Sequence, residues 1–202
     1  MDVHNCIEKR RDTRHFTNEI IPDIVIEKAL NAAHFAPSVG LSEPWRFVIV
    51  KTEQKKKAIK ELFDIESLKA QSQINNEEQK QLYQSLKLEA ITETPIGIAI
   101  FCDSSILDNF TLGTIGNNNT LEWSCACAIQ NMWLSLTAQG FGAGWVSIIN
   151  YENFCKIFET PKTWKALGYM CVGKPATDYD GIPMLQKQGW ATKSSTPYVK
   201  YI

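Results

Sequence analysis

The order of apolar and polar positions divides the chain into helical and extended stretches. Ile26, Ala29, Leu30 and Ala33 fall on one helical face. Pro22 opens that helix, and Asp23 sits in its first turn, where the dipole favours a negative charge. Pro37 disfavours an α conformation just before it, so the helix is predicted to stop near Ala36. After the loop PSVGLSEP, Phe47 to Val50 reads as a buried strand. From 53 to 90 apolar positions thin out among Lys, Glu and Gln, which predicts one or two solvated helices, weakly held and able to act as a lid. The run Lys55-Lys56-Lys57 reads as a wet helix face. Ile96 to Cys102 is a second strand, and the long polar loop SSILDNFTLGTIGNNNT after it has a length that is often functional.

From Leu121 to Gln139 the spacing is helical and apolar nearly all round, with Trp123, Ala126, Ile129, Trp133, Leu134 and Leu136. Such a helix belongs in a large core or a subunit interface, and an obligate homodimer is expected. Gly140 ends it. Trp145 to Ile149 and Gly168 to Val172 read as third and fourth strands. Helices and strands mix without a regular βαβ repeat, which predicts an α+β sheet packed with helices in one domain, 1–202.

Composition narrows the partners. The 202 residues are 44% hydrophobic and 21% charged, with a net charge of -1. No global field draws this chain to nucleic acid or anionic lipid, so any anion site must be local. The N-terminus MDVHNCIEKRRD has no apolar core of a signal peptide, and no apolar run is long enough for a membrane span. The six cysteines form no CxxC pair and mostly sit in apolar runs, which reads as buried thiols in a reduced, cytoplasmic setting. His4, His15 and His34 show no ligand spacing, so no metal is expected.

Four segments offer chemistry. Arg10-Arg11-Asp12-Thr13-Arg14 places three arginines in five residues, a local anion site in a near-neutral protein. Guanidinium groups grip phosphate bidentately, although alone the run also fits a solvated basic turn. Asp12 either balances the arginines or stands as a carboxylate near a reacting group. The loop Ala36 to Trp45 is fixed by two prolines. It suits the edge of a planar heterocycle, with free backbone N–H groups and an aromatic end; the plainer reading is a helix-to-strand connector. Gly140-Phe141-Gly142-Ala143-Gly144-Trp145-Val146-Ser147 is glycine-rich, but its glycines follow a helix and open a strand, the reverse of a dinucleotide fingerprint. They read as packing glycines between helix and strand, with the Ser147 hydroxyl free to meet a ligand. Gly189-Trp190-Ala191-Thr192-Lys193 is uninformative alone.

Together, RRDTRHF, APSVGLSEPWRFVIV, LKLEAITETPIGIAIFCD, AIQNMWLSLTAQGFGAGWVSI and GWATK resemble, in order, the segments of nitroreductase-like flavoproteins, from about Arg10 to Lys193. The Arg-Arg-Asp opening and the Ser after Gly-Trp-Val look closest to the 5,6-dimethylbenzimidazole synthase branch. The resemblance implies a three-layer fold, a central mostly antiparallel sheet flanked by helices, and a domain-swapped homodimer with flavin mononucleotide (FMN) at the interface. It implies that Arg10, Arg11, Arg14 and Lys193 hold the phosphate and ribityl chain. Pro37, Ser38, Val39 and Gly40 would border the isoalloxazine, with Asp12 near the ribityl end and Ser147 near the ring, both catalytic.

The branch carries a Gly-Arg-His-Thr stretch before its long helix, whereas here Gly113 is followed by Thr114, Ile115, Gly116 and Asn117-Asn118-Asn119. The activity implied is oxygen-dependent fragmentation of reduced FMN to 5,6-dimethylbenzimidazole, the lower ligand of vitamin B12, and a four-carbon sugar phosphate, with electrons from NAD(P)H through a separate flavin reductase. The rivals are an NAD(P)H-dependent nitroreductase or dehalogenase that keeps its FMN, and a flavin-binding protein without catalysis.

Overall fold

A computed structural model describes residues 2–108, 110–117, 119–178 and 180–202. The loop before the long helix was singled out above for its missing basic pair; Asn118 in it lies outside the described residues. Four strands form one antiparallel sheet in the order β1-β2-β4-β3: β1 Trp45–Val50, β2 Ile96–Asp103, β3 Gly142–Val146 and β4 Trp164–Gly173. The period-2 alternation of β2 explains its unbroken apolar run. Ile96, Ile98, Ile100 and Cys102 face helices α2 (Asp23–His34) and α5 (Thr120–Ala138). Ala99 and Phe101 face the opposite layer, where α3 (Glu53–Ser72) contributes Ile59 and Phe63 and α6 (Tyr151–Phe158) contributes Phe154. This is the three-layer α+β architecture expected.

Several boundaries differ from the sequence reading. A first helix, α1 (Val3–Lys9), opens the chain with the Asp2 carboxylate capping the Asn5 N–H at 3.1 Å. β3 begins at Gly142 and ends at Val146, rather than running from Trp145 to Ile149, so Gly142 and Gly144 lie inside it. β4 begins four residues before Gly168. The 53–90 stretch forms α3 and α4 (Glu77–Ser85). Lys56 corrects the wet-face reading. It is buried, and its Nζ donates to the Thr94 carbonyl at 2.8 Å and to Glu53 at 3.0 Å.

α5 is less uniform than its composition suggests. Leu121, Cys125, Ala128, Ile129, Met132, Trp133 and Leu136 form its buried stripe, while Trp123, Ala126 and Cys127 face outward. Four cysteines are buried, Cys127 is exposed, and Cys155 is half-buried. Among the described residues no helix is long and apolar enough to cross a membrane.

Candidate active site

The Arg10–Arg14 segment lies along the open edge of β3. Asp12 bridges Ala143 in parallel, and the Thr13 N–H donates to the Ala143 carbonyl at 2.9 Å. The close approach explains the glycines. A Cβ at Gly144 would sit 2.2 Å from the Thr13 carbonyl oxygen, and one at Gly142 2.7 Å from Thr13 Oγ1. The glycines therefore admit an extended segment against the strand, not a helix as the sequence suggested.

Both oxygens of the Asp12 carboxylate are engaged, and Oδ1 keeps one lone pair. Oδ1 accepts from the Trp145 N–H at 2.9 Å, a strand-edge donor, while Oδ2 accepts from Arg14 Nε at 3.0 Å and Nη2 at 2.6 Å. Arg14 Nη2 also donates to the Trp145 carbonyl at 2.9 Å. The Arg14 side chain is buried and committed to protein, and its Nη1 is buried with no hydrogen-bond partner. Ser147 follows β3 with its side chain exposed. It stands two residues beyond Trp145, roughly 7 Å along the chain from the N–H that Asp12 holds. Asp12 and Ser147 thus share the outgoing end of β3.

Arg11, Asp12 and Arg14 open onto a cavity of about 740 Å³ that Phe141, Pro175 and Lys187 also line. That volume lies in the range of pockets that hold cofactor-sized ligands. The orphaned Arg14 Nη1 and the basic Arg11 and Lys187 suit an anionic, acceptor-rich group. Arg10 stands apart, with its guanidinium 4.6 Å above the ring of Trp133. Lys193 does not line the cavity; its backbone N–H donates to Gln186 Oε1 at 3.2 Å. Sequence reasoning missed Lys187 and Pro175, because the stretch after β4 has neither helical nor strand periodicity.

The second predicted cluster lies elsewhere in the chain. Pro37 to Gly40 enter a 3₁₀ turn, Val39–Leu41, beside the start of α5. The Val39 N–H is not free as expected, since Ser124 Oγ accepts it at 3.0 Å. Ser38 Oγ accepts from the Glu43 N–H at 3.2 Å. Leu41 and Glu43 both have positive φ, 54° and 46°, which side-chain-bearing residues adopt only under strain. Ser124 lies near the first turn of α5 and Thr137, which lines the cavity, near its last. The rise of a helix over that interval is about 20 Å. One chain therefore does not bring Pro37–Gly40 to the arginine cavity.

The nitroreductase family model matches residues 7–174, and the chain belongs to the nitroreductase family. Within it, the chain is 34% identical over 191 residues to a 5,6-dimethylbenzimidazole synthase of Rhodospirillum rubrum, covering 95% of this chain and 90% of that one. Two solved structures share the fold. An iodotyrosine deiodinase bound to FMN and 3-iodo-L-tyrosine has a TM-score of 0.77 at 19% identity and covers 99% of this chain and 100% of that one. A BluB-like flavoprotein of Clostridium difficile has a TM-score of 0.73 at 18% identity, with the same coverage.

Proposed function

We propose that this chain is an oxygen-dependent enzyme that consumes reduced FMN and releases 5,6-dimethylbenzimidazole and a four-carbon sugar phosphate. The observation that carries the reading is its 34% identity, over nearly its whole length, to a synthase of that name. The placement of Asp12 and Ser147 at one strand end supports it. The reduced flavin supplies the electrons for oxygen, and its own ring and ribityl chain are broken.

The chain's residues bind and orient. Arg11 meets the phosphate and ribityl end from the cavity wall. Arg14 completes the group from behind by fixing Asp12. Asp12 serves as acceptor or base near the ribityl chain, and Ser147 offers a hydroxyl to the ring. The flavin arrives as a substrate reduced by a separate flavin reductase using NAD(P)H, and the setting is the cytoplasm.

The site is completed by a second copy. Pro37, Ser38, Val39 and Gly40 are about 20 Å from the arginine cavity in their own chain, by the helix rise between them. Reaching the isoalloxazine from a partner subunit removes that separation. The face around this loop is suited to such a contact. Phe35 and Leu41 are 84% and 88% exposed; Leu112, whose backbone lies against Gly40, and Trp123, next to the Ser124 that holds Val39, are exposed too. Contiguous exposed apolar surface of this kind marks an interface.

The test is exposure of the protein to excess reduced FMN in air. Irreversible loss of flavin colour supports the synthase. Quantitative return of oxidised FMN, with NAD(P)H-dependent reduction of nitroaromatics, supports the flavin-retaining nitroreductase instead.

A further inference from the structure

Tyr83 on α4 and Trp190 in the terminal segment meet ring to ring, with centroids 6.0 Å apart and planes inclined at 57°. Neither residue lines the large cavity, yet each is tied to something that reaches further. The Tyr83 hydroxyl lies 3.2 Å from Ser67 Oγ on α3, and α3 is anchored in the core through Ile59 and Phe63. The Trp190 backbone N–H donates to the Leu185 carbonyl at 2.8 Å, which ties the main chain at the indole to α7 (Met184–Lys187). Met184, Leu185 and Lys187 of α7 wall the cavity with Arg11 and Asp12.

The wall has little support of its own. α7 is a four-residue turn with no side-chain cap and no buried residue, and an isolated turn does not persist in water. Lys187 pairs with Asp180, inside the same segment. At its near end the segment is fixed to the body, where Phe16 bridges Pro175 and the Ala176 N–H donates to the His15 carbonyl at 3.0 Å. At its far end, the ring pair is the aromatic contact that joins it to the helical layer. Residues 180–190 form a strap along the cavity wall, held at its far end by that ring pair.

We propose that Tyr83 and Trp190 are positioning residues of the cofactor site, holding the far end of this strap so that α7 keeps its place in the cavity wall. The proposal rests on the FMN reading above. It also gives α4, which has no buried residue, a purpose as the strap's resting surface.

The experiment uses the full-length parent, Tyr83→Ala, Trp190→Ala, their double variant and Trp190→Phe. Each is titrated with oxidised FMN by flavin fluorescence, and amide exchange over 182–193 is followed on the same proteins without FMN. Each alanine variant should bind FMN about three- to tenfold more weakly, the scale of one lost aromatic pair. The double variant should be no weaker than the weaker single, because either change removes the same contact. Trp190→Phe should recover most of the affinity, and Tyr83→Ala should speed exchange over 182–193 although the substitution lies on α4. Parent-like affinity and exchange in Tyr83→Ala overturn the proposal, as do losses that multiply in the double variant. A parent that does not bind FMN overturns the cofactor reading instead, and faster exchange in Tyr83→Ala would then still establish the contact that pins the strap.

Discussion

Arg14 grips Asp12 through Nε at 3.0 Å and Nη2 at 2.6 Å, and the same Nη2 holds the Trp145 carbonyl at 2.9 Å. One guanidinium thus ties the arginine segment to the strand that ends at Val146, just before Ser147. This divides the cluster by role: Arg14 spends Nε and Nη2 on protein, while Arg11 lines the cavity beside it. Arg14→Ala leaves Asp12 and the Trp145 carbonyl without their charged partner, and should cost about 1–3 kcal/mol of stability, read by denaturant unfolding. Arg11→Ala should leave stability nearly unchanged and weaken FMN binding roughly tenfold or more, the loss of one charge-assisted phosphate contact. Equal stability losses in the two variants would contradict the division.

The glycine notch in β3 makes a sharper demand. In Gly144→Ala the new methyl meets the Thr13 carbonyl, a backbone atom that cannot rotate away. Overpacking should cost about 1–3 kcal/mol and push Asp12–Arg14 off the strand. FMN affinity should fall in the same variant, measured by titration, because the displaced segment carries the proposed phosphate ligands.

The exposed side of α5 is the proposed subunit contact. Trp123 is 55% exposed beside Ser124, which holds the Val39 loop. Trp123→Glu should give a folded monomer in sedimentation, with intact helix signal and no FMN binding. A folded, FMN-binding monomer of the parent at micromolar concentration would contradict the shared site.

Acid should weaken the fold through Asp103. Burial alone would raise its carboxyl, but two hydrogen bonds from Ser105, at 3.0 Å and 2.7 Å, and the nearby Arg46 charge outweigh that and hold it below its ordinary value of 3.8. A carboxyl depressed in the folded state stabilises fully above its unfolded value and loses that contribution as pH falls through the folded one. Asp103→Asn should therefore be less stable than the parent at neutral pH. The gap should narrow in unfolding curves taken below about pH 4.

The sheet and its covering helices were legible because β2 and α5 carry strong periodic signals that tertiary packing only confirms. The arginine segment was legible as a charge cluster, but not its inner division, since sequence cannot say which guanidinium turns inward. The extent of β3 was misread because Gly142 and Gly144 look like loop residues until Thr13 is seen lying on them. The buried Lys56 was hidden by lysines on either side and by an acceptor, the Thr94 carbonyl, far away in sequence. The cavity wall from Pro175 to Lys187 has no pattern of its own, so nothing in the sequence announced it. The separation of the Pro37 loop from the arginines was equally invisible, because motif order carries no information about which copy of the chain supplies each half.

The most direct test of the central claim is mass analysis of the products formed from isotopically labelled, reduced FMN in air, by the parent and by Asp12→Asn and Ser147→Gly. The parent should yield labelled 5,6-dimethylbenzimidazole. Both variants should fold, dimerise and bind FMN, yet yield little or none. Parent-level product from both variants would remove Asp12 and Ser147 from the chemistry. A parent that returns all of its FMN intact would contradict the synthase reading itself.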